Sequence, residues 1–129
     1  MGHHVADSVD FMVNAAEKDL IDRYQRLTDR LRQAESHYER AEGSVCLIAV
    51  SKTYPADHVR TVAAQGQRDF GENQIQDAMT KIPVLEALGC SWHFIGPIQS
   101  NKCRDIALHF DWVHSIDRAK IAKRLSDLR

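Results

Sequence analysis

The chain has 129 residues, of which 43% are hydrophobic and 27% are charged, as expected for one globular domain or part of a larger one. Its 17 basic and 18 acidic residues give a net charge of −1, which argues against a general binder of nucleic acids or membrane surfaces, because no basic excess neutralises phosphates. The sequence also lacks a membrane-length apolar run and a signal peptide, and three cysteines without a CxxC spacing favour the reducing cytoplasm.

A long amphipathic helix is predicted for residues 17–42, after a tail of residues 1–16 that begins like a tag remnant. The segment contains no proline or glycine, and Gly43 is expected to end the helix. Apolar residues recur at steps of four and three, at Leu20, Tyr24, Leu27, Leu31, Ala34, Tyr38 and Ala41. The stripe fits a helix that binds a partner or a helix packed on its own domain, and three heptads are few for a coiled coil.

After Gly43 the sequence alternates between short apolar runs and helical segments. The predicted strands are Val45–Val50, Asp69–Gly71, Trp92–Ile95 and Trp112–Ile116. The predicted helices are 55–65, 73–88 with a break near Ile82 caused by Pro83, 100–109, and a last helix capped by Asp117. Four βα units imply a parallel sheet, which is either an open doubly wound sheet or about half of a (β/α)8 barrel.

Polar segments follow each predicted strand, where both architectures bind ligands. They are Ser51-Lys52-Thr53, Gly71-Glu72-Asn73, Gly96-Pro97-Ile98-Gln99 and Ser115-Ile116-Asp117. Lys52 shares a strand face with Ile48 and Val50, so apolar walls are expected to lower its pKa and to leave an amine that can attack an aldehyde. Taken alone, a lysine at this position also fits a solvated or salt-bridged side chain.

Other polar residues near the third strand have ordinary structural explanations. His93 fits a buried, hydrogen-bonded histidine better than a proton-transfer group. Gln99, Asn101 and Lys102 either attract an anion at a helix N-terminus or only cap that helix in water. The spacing of cysteines and histidines is too irregular for zinc, so no metal site is predicted.

Four motifs in order carry a family resemblance. They are AVSKTYP at 49–55, FGEN at 70–73, WHFIGPIQSNK at 92–102 and DWVHSID at 111–117. Through them the stretch from about Val45 to Arg129 resembles the N-terminal part of the YggS/PROSC family of pyridoxal-phosphate-binding homeostasis proteins. The resemblance implies an α/β fold in which residues 43–129 form the first half of an alanine-racemase-type (β/α)8 barrel, about four βα units, behind the long helix.

The resemblance also implies a cofactor and its site. Lys52 would hold pyridoxal 5′-phosphate (PLP) as a Schiff base, and Asn73 would lie at the cofactor's edge. A role in intracellular PLP homeostasis then outranks catalysis. The alternatives are a racemase- or decarboxylase-like enzyme of the same fold, which needs a second acid/base, and a non-enzymatic interaction module that uses the N-terminal amphipathic helix.

In this family the phosphate-binding contacts come from the second half of the chain, beyond the motifs found here. A half-barrel also exposes the edges of its first and last strands and the apolar interior face between them. We therefore expect one of three arrangements: a fragment of a longer protein, self-association through the exposed edges, or the long helix folded across the open face.

Overall fold

The structure of the chain, a computed structural model, describes residues 15–52, 54–114, 116 and 119–129. Most of the predicted tail, Thr53, Ser115 and the predicted cap Asp117 lie outside the described residues. The chain divides into two compact units, the first ending at Val45 and the second beginning at Cys46. Within the described residues, no helix has both the length and the apolar character that crossing a membrane requires.

The first unit contains the long helix α1 (Ala15–His37). The predicted end near Glu42 is wrong, because the buried carboxylate of Glu35 draws the following chain back onto the helix. It accepts hydrogen bonds from the backbone N–H of Val45 at 2.8 Å and of Gly43 at 3.2 Å. The left-handed φ of 59° at Glu39 makes the reversal possible.

The surroundings of Glu35 in this turn stabilise the ionised form of its carboxyl group. The hydrogen bond from the Val45 amide is the largest influence lowering the pKa of the Glu35 carboxyl, and the Gly43 amide and Arg32 act in the same direction against burial. The guanidinium of Arg32 lies 2.5 Å from the Glu35 carboxylate. The turn after α1 is therefore held by an ionised side chain.

The second unit contains every predicted strand and helix of the βα alternation. Its strands are β1 (Ala49–Val50), β2 (Asp69–Glu72), β3 (Ser91–Phe94) and β4 (Trp112–Val113). Its α-helices are α2 (Ala56–Ala64), α3 (Ile75–Lys81), α4 (Cys103–His109) and α5 (Ala119–Leu128), and 3₁₀ helices occupy Pro83–Leu88 and Ser100–Lys102. The predicted break near Ile82 is confirmed, since α3 stops before Pro83 and a 3₁₀ helix continues to Leu88, with Gly89 as its C-cap.

The first and fourth strands are shorter than predicted. Both lie at the edges of the sheet, so each has one neighbouring strand. The carbonyl of Leu47 accepts a hydrogen bond from the side chain of Gln67 at 2.6 Å in place of a strand partner. The length of an apolar run therefore overestimates the length of the strand where side chains, and not a neighbouring strand, form hydrogen bonds with the backbone.

The order of the strands decides between the two predicted architectures. All neighbours are parallel and the order is β1-β2-β3-β4. A doubly wound sheet reverses its strand order at a switch point, whereas a barrel adds each strand beside the previous one. The second unit therefore has the singly wound order of a partial (β/α) barrel.

The register gives the sheet two different faces. Val50, Gly71, His93 and Trp112 occupy paired positions on one face, which we call the interior face because it would line a closed barrel. Val50 and Trp112 are 48% and 59% exposed, as predicted for an open half-barrel. The opposite, helix-facing side carries the buried core, which includes Phe70, Trp92, Phe94, Leu85, Ile106 and Ile121.

Candidate functional site

The carboxyl ends of the strands lie side by side. Backbone hydrogen bonds continue past the strands, from the N–H of Ser51 to the carbonyl of Gly71 at 3.0 Å and from that of Ile95 to Glu72 at 2.9 Å. The N–H of His114 likewise donates to the carbonyl of Phe94 at 3.0 Å. The described polar residues that follow the strands are therefore held at one edge of the sheet.

Lys52 and Asn73 occupy equivalent positions at this edge. Val50 pairs with Gly71, and each site residue follows two positions later, so we expect both on the interior side if the strand alternation continues past the strand ends. Lys52 lies in the turn after β1 and is exposed, whereas Asn73 is half-buried. The apolar walls predicted to shield Lys52 do not enclose it among the described residues, because Lys52 is exposed and Val50 beneath it belongs to the open interior face.

Gly96 sets the position of Asn73 from the neighbouring strand. A Cβ atom on Gly96 would lie 2.4 Å from the backbone oxygen of Asn73 and 2.9 Å from its Cα. Only glycine permits the backbone after β3 to approach this closely. The glycine of the GPIQ segment therefore supports the site through its backbone, without a side chain of its own.

A buried charged cluster, which was not predicted from the sequence, lies next to the two site residues along the chain. Lys81 is 2% exposed and Glu72 is fully buried. The ammonium Nζ of Lys81 lies 3.0 Å from Glu72 Oε2 and 3.0 Å from Asp77 Oδ2, and it donates to the carbonyl of Ser51 at 2.5 Å. The hydroxyl of Ser51 donates to the same carboxylate oxygen of Glu72.

Burial dominates the electrostatics of this cluster. Desolvation raises the pKa of the Glu72 carboxyl, and the hydrogen bonds from Ser51 and Lys81 oppose that shift. The other carboxylate oxygen, Oε1, is buried without a hydrogen-bond partner among the described residues. The cluster therefore depends on Lys81 to accommodate a carboxylate away from water.

Sequence periodicity did contain a signal for this cluster. Glu72 follows Phe70 at the two-residue spacing of one strand face, and Phe70 lies in the helix-facing core. Lys81 follows Ala78 at helical spacing, and Ala78 is completely buried. Opposite charges at two inward positions predict a buried pair, although their contact depends on how α3 packs against β2.

His93 is buried and fully hydrogen-bonded at its ring, so the structural interpretation is confirmed. Its Nε2 lies 2.8 Å from Asp69 Oδ1, and its Nδ1 lies 2.9 Å from His114 Nε2. The ring also stacks on Trp112 with 12° between the planes. His93 therefore links β2, β3 and the residue after β4 across the interior face.

The remaining candidates do not form a built site in the described part of the chain. Gln99 and Asn101 are exposed, and Gln99 caps the short 3₁₀ helix without a side-chain hydrogen bond. Whether this segment attracts an anion stays a prediction. No three His, Cys, Asp or Glu side chains of the described residues are arranged to hold a metal ion.

Three known proteins with similar sequences carry the same name. A pyridoxal phosphate homeostasis protein of Pseudomonas aeruginosa is 55% identical over 104 residues, covering 81% of this chain and 45% of the relative. Proteins of the same name from Vibrio cholerae and Escherichia coli K12 are 48% and 44% identical and cover 81% and 86% of this chain. No family model matches the chain. The chain spans about half the length of the curated relatives it matches.

Two solved structures are similar to this chain in fold. PipY of Synechococcus elongatus, solved with PLP bound, aligns with a TM-score of 0.66 at 44% identity over 78% of this chain and 47% of PipY. An unknown protein from Bifidobacterium adolescentis aligns with a TM-score of 0.81 at 27% identity, over 90% of this chain and 52% of that protein. The fold is therefore the alanine-racemase-type barrel, represented by about four βα units that follow a long helix in the sequence.

Proposed function

We propose that this chain binds PLP and serves PLP homeostasis in the cytoplasm. The premise is that the chain matches the N-terminal part of the YggS/PROSC family of pyridoxal phosphate homeostasis proteins. Lys52 is the residue that we propose to hold the cofactor covalently, and Asn73 is proposed to lie at its edge. The names of the relatives and the PLP bound to PipY support PLP binding and the homeostasis role.

The observation that carries the proposal is the contrast between two lysines at the same end of the sheet. Lys81 is buried, and its ammonium group is already held by Ser51, Glu72 and Asp77. Lys52 is exposed at the end of β1, beside Asn73 at the end of β2. PLP supplies an aldehyde that a primary amine captures covalently, and of these two amines only that of Lys52 is accessible.

Trapping with borohydride tests the residue. The chain is incubated with PLP, reduced with borohydride, digested, and mapped for the modified lysine by mass spectrometry. We expect the label on Lys52, and Lys52→Arg should lower it about tenfold or more, because a guanidinium keeps the charge but does not provide the reactive amine. Lys120→Arg, an exposed lysine on α5, serves as the matched control and should label like the unaltered chain.

Two results would contradict this assignment. One is equal labelling of all exposed lysines, which would show unselective reaction with PLP. The other is undiminished label in Lys52→Arg.

Since the chain spans about half the length of its relatives, we expect weaker PLP binding than in those longer proteins.

We propose that the role is binding and buffering of PLP, without catalysis. Racemase-type chemistry would exchange the hydrogen on the α-carbon of an amino acid with solvent, and decarboxylase-type chemistry would release the carboxylate as CO2 and add a solvent proton to the α-carbon. Proton NMR of amino acids in D2O with the PLP-loaded chain measures that exchange directly. Exchange above the rate with free PLP that disappears in Lys52→Arg would overturn the purely binding role.

A further inference from the structure

We propose that Lys81 is a positioning residue, whose buried ammonium group ties the end of β1 to the end of β2 and thereby sets the separation of Lys52 and Asn73. The inference rests on the proposed function, because it assumes that these two residues form the PLP site. It assigns a role to a lysine whose hydrogen-bond and ion-pair partners in the described structure are Ser51, Glu72 and Asp77. Three observations support it, namely its burial, the identity of its partners, and the face on which it lies.

A lysine as buried as Lys81 needs compensation. Removing an ammonium group from water is costly unless close acceptors replace the lost hydration. Lys81 has three such acceptors, on Ser51, Glu72 and Asp77, at 2.5, 3.0 and 3.0 Å. Their number matches the three donors of an ammonium group, so Lys81 has a fixed position.

The partners of Lys81 are the immediate neighbours of the site residues. The carbonyl of Ser51 directly precedes Lys52, and Glu72 directly precedes Asn73. Ser51 also donates its hydroxyl hydrogen bond to Glu72 and its backbone N–H to Gly71. The ammonium group therefore links Ser51, the residue before Lys52, to Glu72, the residue before Asn73.

The cluster lies on the other side of the sheet from the proposed cofactor site. Ser51 and Glu72 continue the alternation of Ala49 and Phe70, on the helix-facing side. By the same alternation, Lys52 and Asn73, one position later, are expected on the interior side. Lys81 thus acts through the backbone and does not contact the bound cofactor, which separates its role from that of Lys52.

Two variants and a control separate positioning from stability. Lys81→Met removes the ammonium group at similar volume, and Lys81→Met combined with Glu72→Gln leaves no unpaired buried charge if the single variant fails to fold. Ala78→Gly weakens the same helix, α3, at a completely buried position without altering the charged cluster. Chemical denaturation measures the free energy of unfolding of every variant. The Lys81 variants and Ala78→Gly can then be compared under conditions in which their free energies of unfolding are equal.

Two measurements then decide the question. The first is amide hydrogen exchange at Ser51, whose N–H bonds to Gly71, compared with Asp111, whose N–H bonds to Trp92 in another part of the sheet. We expect exchange at Ser51 to accelerate about tenfold more than at Asp111 in the Lys81 variants, and both amides to change equally in Ala78→Gly. The second is borohydride trapping, where label at Lys52 should fall about fivefold below that of Ala78→Gly at matched stability.

Uniform changes in exchange, or equal trapping in the Lys81 variants and Ala78→Gly, would overturn the inference and leave Lys81 a purely structural residue. A lack of label on Lys52 in the unaltered chain is a different result, because it refutes the proposed function. The exchange rate of the Ser51 amide would then still show whether Lys81 ties the two strand ends together.

Discussion

At the scale of single residues, the candidate site depends on side chains and atoms behind it as much as on those that face the cofactor. Asn73 is held between Gly96, which allows the backbone after β3 to approach it, and Glu72, which continues into the buried cluster. Lys52 follows Ser51, whose carbonyl is bound by Lys81. The site is therefore sensitive to substitutions that never touch a ligand.

Gly96→Ala should displace Asn73 and destabilise the second unit. The added Cβ would lie 2.4 Å from the Asn73 oxygen, so the backbone must move, at a cost of about 1–3 kcal/mol typical of overpacking. Urea denaturation measures the loss, and the NMR shifts of the Asn73 side-chain amide measure the displacement. Gly66→Ala is the control, because its Cβ would meet nothing within 4 Å although its φ is positive.

The control should lose stability through its backbone conformation but leave the Asn73 shifts unchanged. Unchanged Asn73 shifts in Gly96→Ala, with stability equal to that of the unaltered chain, would contradict the account of the close approach.

The positions of Lys52 and Asn73 were predictable, because each lies in the polar segment that follows a predicted parallel strand. The Lys81–Glu72 pair was not predicted, although both residues occupy inward positions of their elements. Periodicity identifies the face of one element at a time. The contact between Lys81 and Glu72 also requires the packing of α3 on β2, which no local pattern specifies.

At the scale of elements, the helices and strands follow the sequence pattern, and their ends follow tertiary contacts. Pro83 and Gly89 delimit a 3₁₀ helix by their own backbone preferences, which local sequence reveals. The end of α1 is decided by Glu35, whose carboxylate binds amides that lie beyond the helix. An apolar stripe cannot report such a contact.

Acid should loosen the turn after α1. The pKa of Glu35 is lowered in the folded chain, so its ionisation stabilises the turn fully above the ordinary glutamate pKa of about 4.3. That stabilisation is lost as the pH falls through the lower folded pKa. Amide exchange at Gly43 and Val45, corrected for intrinsic exchange at each pH, should therefore show less protection in this acidic range.

Glu35→Gln should reduce the protection of both amides at neutral pH and remove this pH dependence. Glu39→Gln, at an exposed position in the same turn, is the control and should retain it. Acid-dependent protection that persists in Glu35→Gln would assign the effect to another group.

At the scale of the whole molecule, the second unit is a partial barrel whose interior face is open. Its interior face carries the exposed side chains of Val50 and Trp112, and Ile116 is 45% exposed. Both edge strands, β1 and β4, have one neighbour each in the described sheet. Exposed apolar surface and open strand edges favour pairing with another chain.

We expect the chain to self-associate through this face. Light scattering coupled to size-exclusion chromatography should show a mass that rises with concentration. Trp112→Lys should weaken association about tenfold or more, since buried tryptophans contribute strongly at interfaces. Leu108→Lys is the control, because Leu108 is 63% exposed on α4, outside the sheet.

A monomer at all concentrations would contradict this prediction. Equal weakening by Leu108→Lys and Trp112→Lys would place the interface elsewhere.

The strand order β1-β2-β3-β4 has a consequence for how the sheet is assembled during translation. Each βα unit pairs with the unit synthesised just before it, so a newly emerged strand finds its docking partner already outside the ribosome. Because these contacts join neighbouring units, the chain closes only modest loops as it folds, which favours rapid formation. The sheet can therefore grow vectorially from its N-terminal side, without waiting for a distant segment.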